Sequence, residues 1–405
     1  MKFEVLSQLP NSLARTGILT TSHGQIQTPV FMPVGTAGIV KTLAPWEMEE
    51  LGAEIILGNT YHLHVRPGEE LINKLGGLHD WSRWTKPILT DSGGYQAYSL
   101  GETRGKAAPP ATPIAAGLPG GRAKTTDDGV EFLSHLDGRK LKFTPENVLD
   151  IQNNLGSDIA MVLDDCPPIA QLSEDGRTVI EATKERVAAA VNRTTDWARR
   201  SVDHWHKKKM GDPTAGGGNA LFGIIQGGLH EDLRAQSLAD IQALPFDGIA
   251  VGGVAIESEG KDLMNQAVDA VASKLDPSRP HYLMGVGEPE DLIRMVDKGM
   301  DMFDCVIPTR YARHGSFWLT KNFQRLSISL SKFTADNGPL DPDCQCRICQ
   351  TFSRSYLRHL FMSNEMFIFR ALSYHNLHLI LNLMKEIRQS INDETFKKRF
   401  RDYLS

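Results

Sequence analysis

The chain has 405 residues, 41% of them hydrophobic, and a formal net charge of −5. That length exceeds one minimal domain but suits a single α/β barrel with additions, and the apolar fraction is enough for a sizeable core. No apolar h-region follows the N-terminus and no run of about 18 apolar residues occurs, so neither a signal peptide nor a membrane span is expected. The five cysteines, Cys166, Cys305, Cys344, Cys346 and Cys349, are odd in number and sparse. They argue against a disulfide framework and for a reducing cytoplasm.

In chain order, residues 1–28 read as a small antiparallel cap with turns at Pro10-Asn11 and His23-Gly24. Eight short apolar runs follow, each ending in Gly, Asp, Asn or Pro: VFMPVG (to Gly35), EIILGNTYH (to His62), PILTDSGG (to Gly94), IAMVLDDC (to Cys166), LFGIIQGG (to Gly228), GIAVGGV (to Val254), HYLMGVG (to Gly287) and MFDCVIP (to Pro308). They do not alternate, as expected of strands buried on both faces of a parallel sheet. Helical patterns lie between them. In TPENVLDIQNNLG, Thr144 is a good N-cap, Pro145 takes the first helical position, Val148, Ile151 and Leu155 share a face, and Gly156 stops the helix. A second, charged on one side, covers DGRTVIEATKERVAAAVNRTTDWARRSVDHWHKKK. Strands alternating with helices predict a (β/α)8 barrel over 29–310. Residues 101–126, rich in Gly, Pro and Ala, read as a flexible surface insertion, and 207–219 as a loop.

Catalytic groups in such barrels project from the C-terminal ends of strands. Here those ends offer Asn59, Asp91, Asp164, Asp165, Gln226, Gly252-Gly253, Gly285 and Asp304. One polar end serves as a helix cap; a ring of them predicts a pocket with several carboxylates and bare backbone. A carboxylate accepts from guanine N1–H and N2–H, and Gln or a Gly N–H donates to O6. The same Asp-rich mouth also suits a divalent metal in a barrel hydrolase, although no strand ends in an H-x-H pattern.

Two further signals sit near the C-terminus. Residues 306–405 carry 15 Lys+Arg against 8 Asp+Glu, leaving the rest of the chain acidic; this basic part suits either a phosphate-binding surface or a solvated helical one. Cys344, Cys346 and Cys349 give C-x-C-x2-C, a specific zinc pattern in a chain otherwise nearly free of cysteine. The fourth ligand would come from His359, His375 or His378. Four protein ligands would leave no open position, making the site structural.

The motifs TDSGGYQ (Thr90–Gln96), MFDCVIPTR (Met302–Arg310), ILGNTYHL, VGGVA, YLMGVG and C-x-C-x2-C…H resemble the tRNA-guanine transglycosylases, in order and over nearly the whole chain. The resemblance implies an irregular (β/α)8 TIM barrel, a zinc-binding subdomain over 311–378, and a C-terminal helical segment, 379–405, packing back on the barrel. It implies a cytoplasmic homodimeric pentosyltransferase of queuosine biosynthesis, which exchanges the wobble guanine of tRNAs with a GUN anticodon for a 7-deazaguanine base. Asp304 matches the covalent nucleophile and Asp91 the general acid/base and base-binding residue. Asp164, Gln226 and Gly253 match the readers of the purine edge, and Tyr95 and Met284 the pair that sandwiches it. Arg310 and Arg313 match RNA-binding residues. His375 matches the fourth ligand of one structural Zn2+.

Val254-Ala255-Ile256 resembles the bacterial version of its stretch, with the Val254 carbonyl placed to accept from an aminomethyl group and Ile256 crowding a larger base. This implies the 7-aminomethyl-7-deazaguanine (prequeuine) substrate rather than queuine, as does the absence of archaeal C-terminal domains. Three departures stand out: Glu257-Ser258-Glu259 replaces a Gly-Glu, Tyr311 and His314 replace smaller or amide residues, and the 101–126 segment is longer than usual. Two other functions are kept in view: a non-catalytic tRNA-binding paralogue or partner subunit, and a metal-dependent TIM-barrel hydrolase.

Overall fold

In a computed structural model, the protein is described over residues 1–96, 123–167, 170–172, 179–212, 219–254 and 261–404. Eight parallel strands form a closed barrel, each beside the next in chain order and the last beside the first. They are β1 (Val30–Gly35), β2 (Ile56–Gly58), β3 (Ile88–Thr90), β4 (Ile159–Met161), β5 (Ala220–Ile225), β6 (Gly248–Val251), β7 (His281–Leu283) and β8 (Met302–Cys305). All eight apolar runs of the sequence contain a strand. The seven besides β8 are buried along their whole length, and β8 is broken only by half-buried Asp304.

The strands are shorter than the runs that encode them, because the polar C-terminal ends leave the sheet. In EIILGNTYH, Asn59 accepts from His62 N (3.0 Å) and caps a helix, Thr60–Val65, so Thr60-Tyr61-His62 are helical rather than extended. In MFDCVIP, Ile307 opens the helix Ile307–Arg313.

The chain divides into two compact units, residues 1–3, 20–24 and 57–284, and residues 4–19, 25–56 and 285–405. The N-terminal strands Lys2–Gln8, Arg15–Thr21 and Gly24–Thr28 form a three-stranded sheet. In the first unit, β3 to β7 run parallel in unbroken order. The helix Pro145–Leu155 is built as its sequence implies. Thr144 accepts from Asn147 N, Asn147 reciprocates, and Val148, Ile151 and Leu155 are buried. Segment 101–126 lies outside the described residues up to position 122, but it ends as structure rather than loop: Ala123–Thr126 pairs with Gly129–Leu133, which pairs with Lys140–Phe143, an antiparallel sheet. Likewise 207–219 begins as helix, since Lys184–Lys208 runs to Lys208 and Lys209 caps it with φ 54°. Residues 213–218 lie outside the described residues.

In the second unit β8 pairs with β1, placing Asp304 opposite Met32. The 27-residue helix Met366–Asn392 packs against β1 and the helix Ile307–Arg313, burying Leu372, Leu379, Leu383 and Ile387 among others. Among the described residues no helix is long and apolar enough to cross a membrane.

Candidate active site

The first unit holds one set of candidate side chains along one edge of its parallel sheet. Asp91 follows β3. Its carboxylate accepts from Asn59 Nδ2 (2.6 Å) and Thr60 N (2.9 Å), so the N-terminal turn after β2 fixes its position. Thr60 Oγ1 donates to the Asp91 carbonyl (2.5 Å), clamping the backbone as well. Gly93 follows with φ 73°, and a Cβ there would lie 2.8 Å from Tyr61 N, so only glycine lets the TDSGGYQ turn pass this close. The turn delivers Tyr95 to the surface at 58% exposure.

Asp164 and Asp165 both follow β4 and are both buried, yet their surroundings differ. Asp165 accepts from Arg186 Nη1 and Nη2 (2.9 and 2.7 Å) and from Arg193 Nη1 (2.5 Å), so two guanidinium groups neutralise it. Asp164 accepts from Gln226 Nε2 (2.7 Å). Burial, with the nearby Asp165 charge, pushes its carboxyl up to about 6 despite that hydrogen bond. Gln226 is seated in turn by its own N–H, which donates to Ser237 Oγ (3.0 Å). Gly253, with φ 64°, and buried Val254 follow β6; Met284 follows β7, its N–H donating to Val251 O (3.3 Å). A carboxylate beside an amide, next to the half-buried Gly253 backbone, can match a purine's donor and acceptor edge.

The second unit holds Asp304, half-buried on β8, whose Oδ1 accepts from Gly285 N at 2.8 Å. The YLMGVG motif thus supplies the donor that orients the acid of the FDC motif. Burial and neighbouring carboxylates push the thiols of Cys305 and Cys166 up to about 12, which keeps both neutral and makes neither a nucleophile. Arg310 and Arg313 lie on the helix Ile307–Arg313, where Arg313 Nε donates to Thr309 O (3.2 Å).

Cys344, Cys346, Cys349 and His375, all buried, bring their ligand atoms within 4.8 Å of one another, a cluster that could hold a metal ion. His375 Nε2 lies 2.8 Å from the Trp318 carbonyl, which fixes Nε2 as the N–H and leaves Nδ1 as a lone pair, 3.4 Å from Cys349 Sγ and 3.7 Å from Cys346 Sγ. An imidazole fixed by a backbone carbonyl behind it is the usual support of a metal ligand. His378 Nδ1 lies 3.5 Å from Cys344 Sγ but also contacts Asn382, and neither it nor His359 joins the cluster.

The chain matches the family described as Queuine tRNA-ribosyltransferase over residues 11–405. The chain belongs to this family. It is 45% identical over 383 residues to a queuine tRNA-ribosyltransferase of Oleidesulfovibrio alaskensis, covering 95% of this chain and 91% of that protein. It is 44% identical over 401 residues to that of Shouchella clausii (98% and 95%), and 43% identical over 404 residues to that of Lactococcus lactis subsp. cremoris (100% and 95%).

Against this family background the departures acquire an address. Tyr311 Oη donates to Glu288 Oε1 (2.8 Å) and its ring lies under the Arg325 guanidinium at 4.3 Å. It is therefore tied into its own unit. His314 Nδ1 lies 2.7 Å from the Arg310 carbonyl, closing the same helix. Residues 255–260, which contain Ile256 and Glu257-Ser258-Glu259, lie outside the described residues. Sequence reasoning assigned no role to Asn59, Gly285 or Ser237 in holding site residues. Asn59 and Gly285 were visible as polar or bare strand ends, but Ser237 sits inside a helix with no local signal.

Proposed function

We propose that this chain is a tRNA-guanine transglycosylase that replaces the wobble guanine of tRNAs with a GUN anticodon by 7-aminomethyl-7-deazaguanine. The observation that carries the reading is Asp304, a strand-end carboxylate with one oxygen held by the Gly285 amide, in a family of tRNA-ribosyltransferases. One oxygen of Asp304 bonds to C1′ of the ribose as the C1′–N9 bond breaks and its electron pair passes to the departing purine, the logic of retaining glycoside hydrolysis. The incoming base then gives up its ring proton and attacks C1′, Asp304 leaves, and two inversions restore the β-nucleoside. One glycosidic bond replaces another, so no ATP is needed.

The other residues bind, orient and move protons. Asp164 accepts from guanine N1–H and N2–H, Gln226 and the Gly253 amide donate to O6, and Tyr95 and Met284 sandwich the ring, offsetting part of the cost of taking the base out of its stack. Asp91, held as an acceptor by Asn59 and Thr60, takes the ring proton of the incoming base and orients the water that protonates the outgoing one. The Val254 carbonyl accepts from the aminomethyl group. Arg310 and Arg313 contact the RNA backbone. Cys344, Cys346, Cys349 and His375 would hold one Zn2+, whose contribution is structural. The enzyme works as a cytoplasmic homodimer.

Radiolabelled guanine with unmodified tRNA tests the reading. Wild type incorporates label; Asp304→Ala does not, while keeping its fold by circular dichroism. Absence of incorporation by wild type rejects the enzyme and leaves a tRNA-binding partner subunit. For base choice, prequeuine and queuine compete against labelled guanine in tRNA, and preferential insertion of queuine would overturn the prequeuine assignment.

A further inference from the structure

Arg234 is fully buried, on the helix Glu231–Gln242 that follows β5. A buried cation ordinarily has a carboxylate partner, because burying charge unpaired is costly. Among the described residues none forms an ion pair with Arg234; its titratable neighbour is Cys166, whose thiol stays neutral. Burial lowers the guanidinium only to about 10, so it is a cation at neutral pH. Among the described residues, every hydrogen bond it makes goes to a backbone carbonyl. Nε donates to Gly228 O (2.8 Å), Nη1 and Nη2 to Gly252 O (both 3.2 Å), and Nη2 to Gly253 O (3.3 Å).

The Gly252 and Gly253 carbonyls belong to the Gly252–Gly253 and Gly253–Val254 peptides. In a trans peptide the N–H points opposite to the C=O. With both carbonyls turned to Arg234, the N–H groups of Gly253 and Val254 point away from it. Gln226 lies against the same turn: a Cβ on Gly252 would sit 2.7 Å from Gln226 Nε2, and one on Gly253 2.6 Å from Gln226 Oε1. Substitution here would drive the edge-reading amide from its place.

We propose that Arg234 is a positioning residue for leaving-group departure: its guanidinium fixes and polarises the Gly252–Gly253–Val254 peptides, so that their N–H groups meet the negative charge developing on the purine. The inference rests on the transglycosylase reading. When the C1′–N9 bond breaks, its electron pair enters the purine and spreads from N9 through the rings to O6, until a proton from water makes neutral guanine. A donor whose carbonyl is held by a fixed cation is stronger than a free peptide N–H and needs no reorientation as charge develops.

The test is single-turnover release of labelled base from tRNA by wild type, Arg234→Lys and Arg234→Gln, each with a thermal melt. A second tRNA preparation carries 8-azaguanine, whose ring N–H is more acidic and which leaves more readily as an anion. Removing a preorganised donor costs on the order of 100-fold in rate. Arg234→Gln should lose about that much with guanine, at nearly unchanged KM for tRNA, and distinctly less with 8-azaguanine; Arg234→Lys, keeping the charge, should recover much of the loss. Equal deficits with both bases, or wild-type rates in the Gln variant, overturn the proposal. So does failure of both variants to melt cooperatively, which makes Arg234 a core residue. Failure of wild type to release guanine rejects the transglycosylase reading instead.

Discussion

Two adjacent aspartates after β4 have opposite surroundings, and their neighbours suit Asp165 to a structural role and Asp164 to the proposed binding role. Asp165 is ion-paired on both oxygens by Arg186 and Arg193, whereas among the described side chains Asp164 accepts from the neutral Gln226 amide. Asp165→Asn removes both of these ion pairs, although Arg193 keeps Asp127 (3.1 Å); breaking such a pair costs about 3 kcal/mol when buried, and somewhat less here because Arg186 is partly exposed. A denaturant melt should show that loss. Asp164→Asn removes no ion pair and relieves the cost of burying a charge, so it should leave stability unchanged or slightly raised while abolishing exchange. The carboxyl of Asp164 is pushed up to about 6, above its ordinary value of 3.8. The deprotonated form, proposed to accept from guanine, is full above that pH and falls tenfold per unit below it. The kcat/KM for guanine exchange should therefore bend downward near pH 6; a profile flat to pH 5 would remove Asp164 from purine recognition. Sequence cannot distinguish the pair, because the arginines that separate them lie on a helix more than twenty residues later.

At the scale of elements, the barrel was legible because parallel strands buried on both faces leave continuous apolar runs, and all eight of them contain a strand. Their ends were less legible. Thr60-Tyr61-His62 look extended by composition, but the Asn59 cap turns them into helix, and that same turn grips Asp91. The antiparallel sheet of Ala123–Thr126, Gly129–Leu133 and Lys140–Phe143 left no clear pattern, since its short strands are partly exposed and the two outer ones carry lysines. The site depends on these turns as much as on the strands. Gly93→Ala would place a methyl against the backbone of Tyr61 at a positive φ, which costs about 1–2 kcal/mol in conformation alone before the clash. Its effect on exchange should exceed its effect on stability, because Asp91 and Tyr95 flank the displaced residue; equal loss of both in melting and rate measurements would make Gly93 merely structural.

For the whole molecule, the Cys3His cluster raises the question of how a metal site with no open position bears on chemistry elsewhere. His375 lies within Met366–Asn392, the helix that packs on β1 and on Ile307–Arg313. The strand β1 pairs with β8, opposite whose Asp304 stands Met32, and Ile307–Arg313 carries both arginines proposed to hold RNA. A metal that fixes this helix would therefore support the proposed nucleophile and the proposed RNA contacts through packing, without touching substrate. Four-ligand zinc sites stabilise folds outright, and chelators act on them as denaturants. Stripping the metal with a chelator should lower the melting temperature by roughly 10 °C, the equivalent of about 4 kcal/mol for a unit of this size. Exchange activity should fall in parallel with the folded fraction and return with added Zn2+. A metal acting on substrate would give the opposite pattern, with activity lost at an unchanged melting temperature. Cys349→Ser gives a chelator-free version of the same test: it should reproduce the lowered melt, and its residual exchange, measured well below that melt, should keep the wild-type dependence on pH.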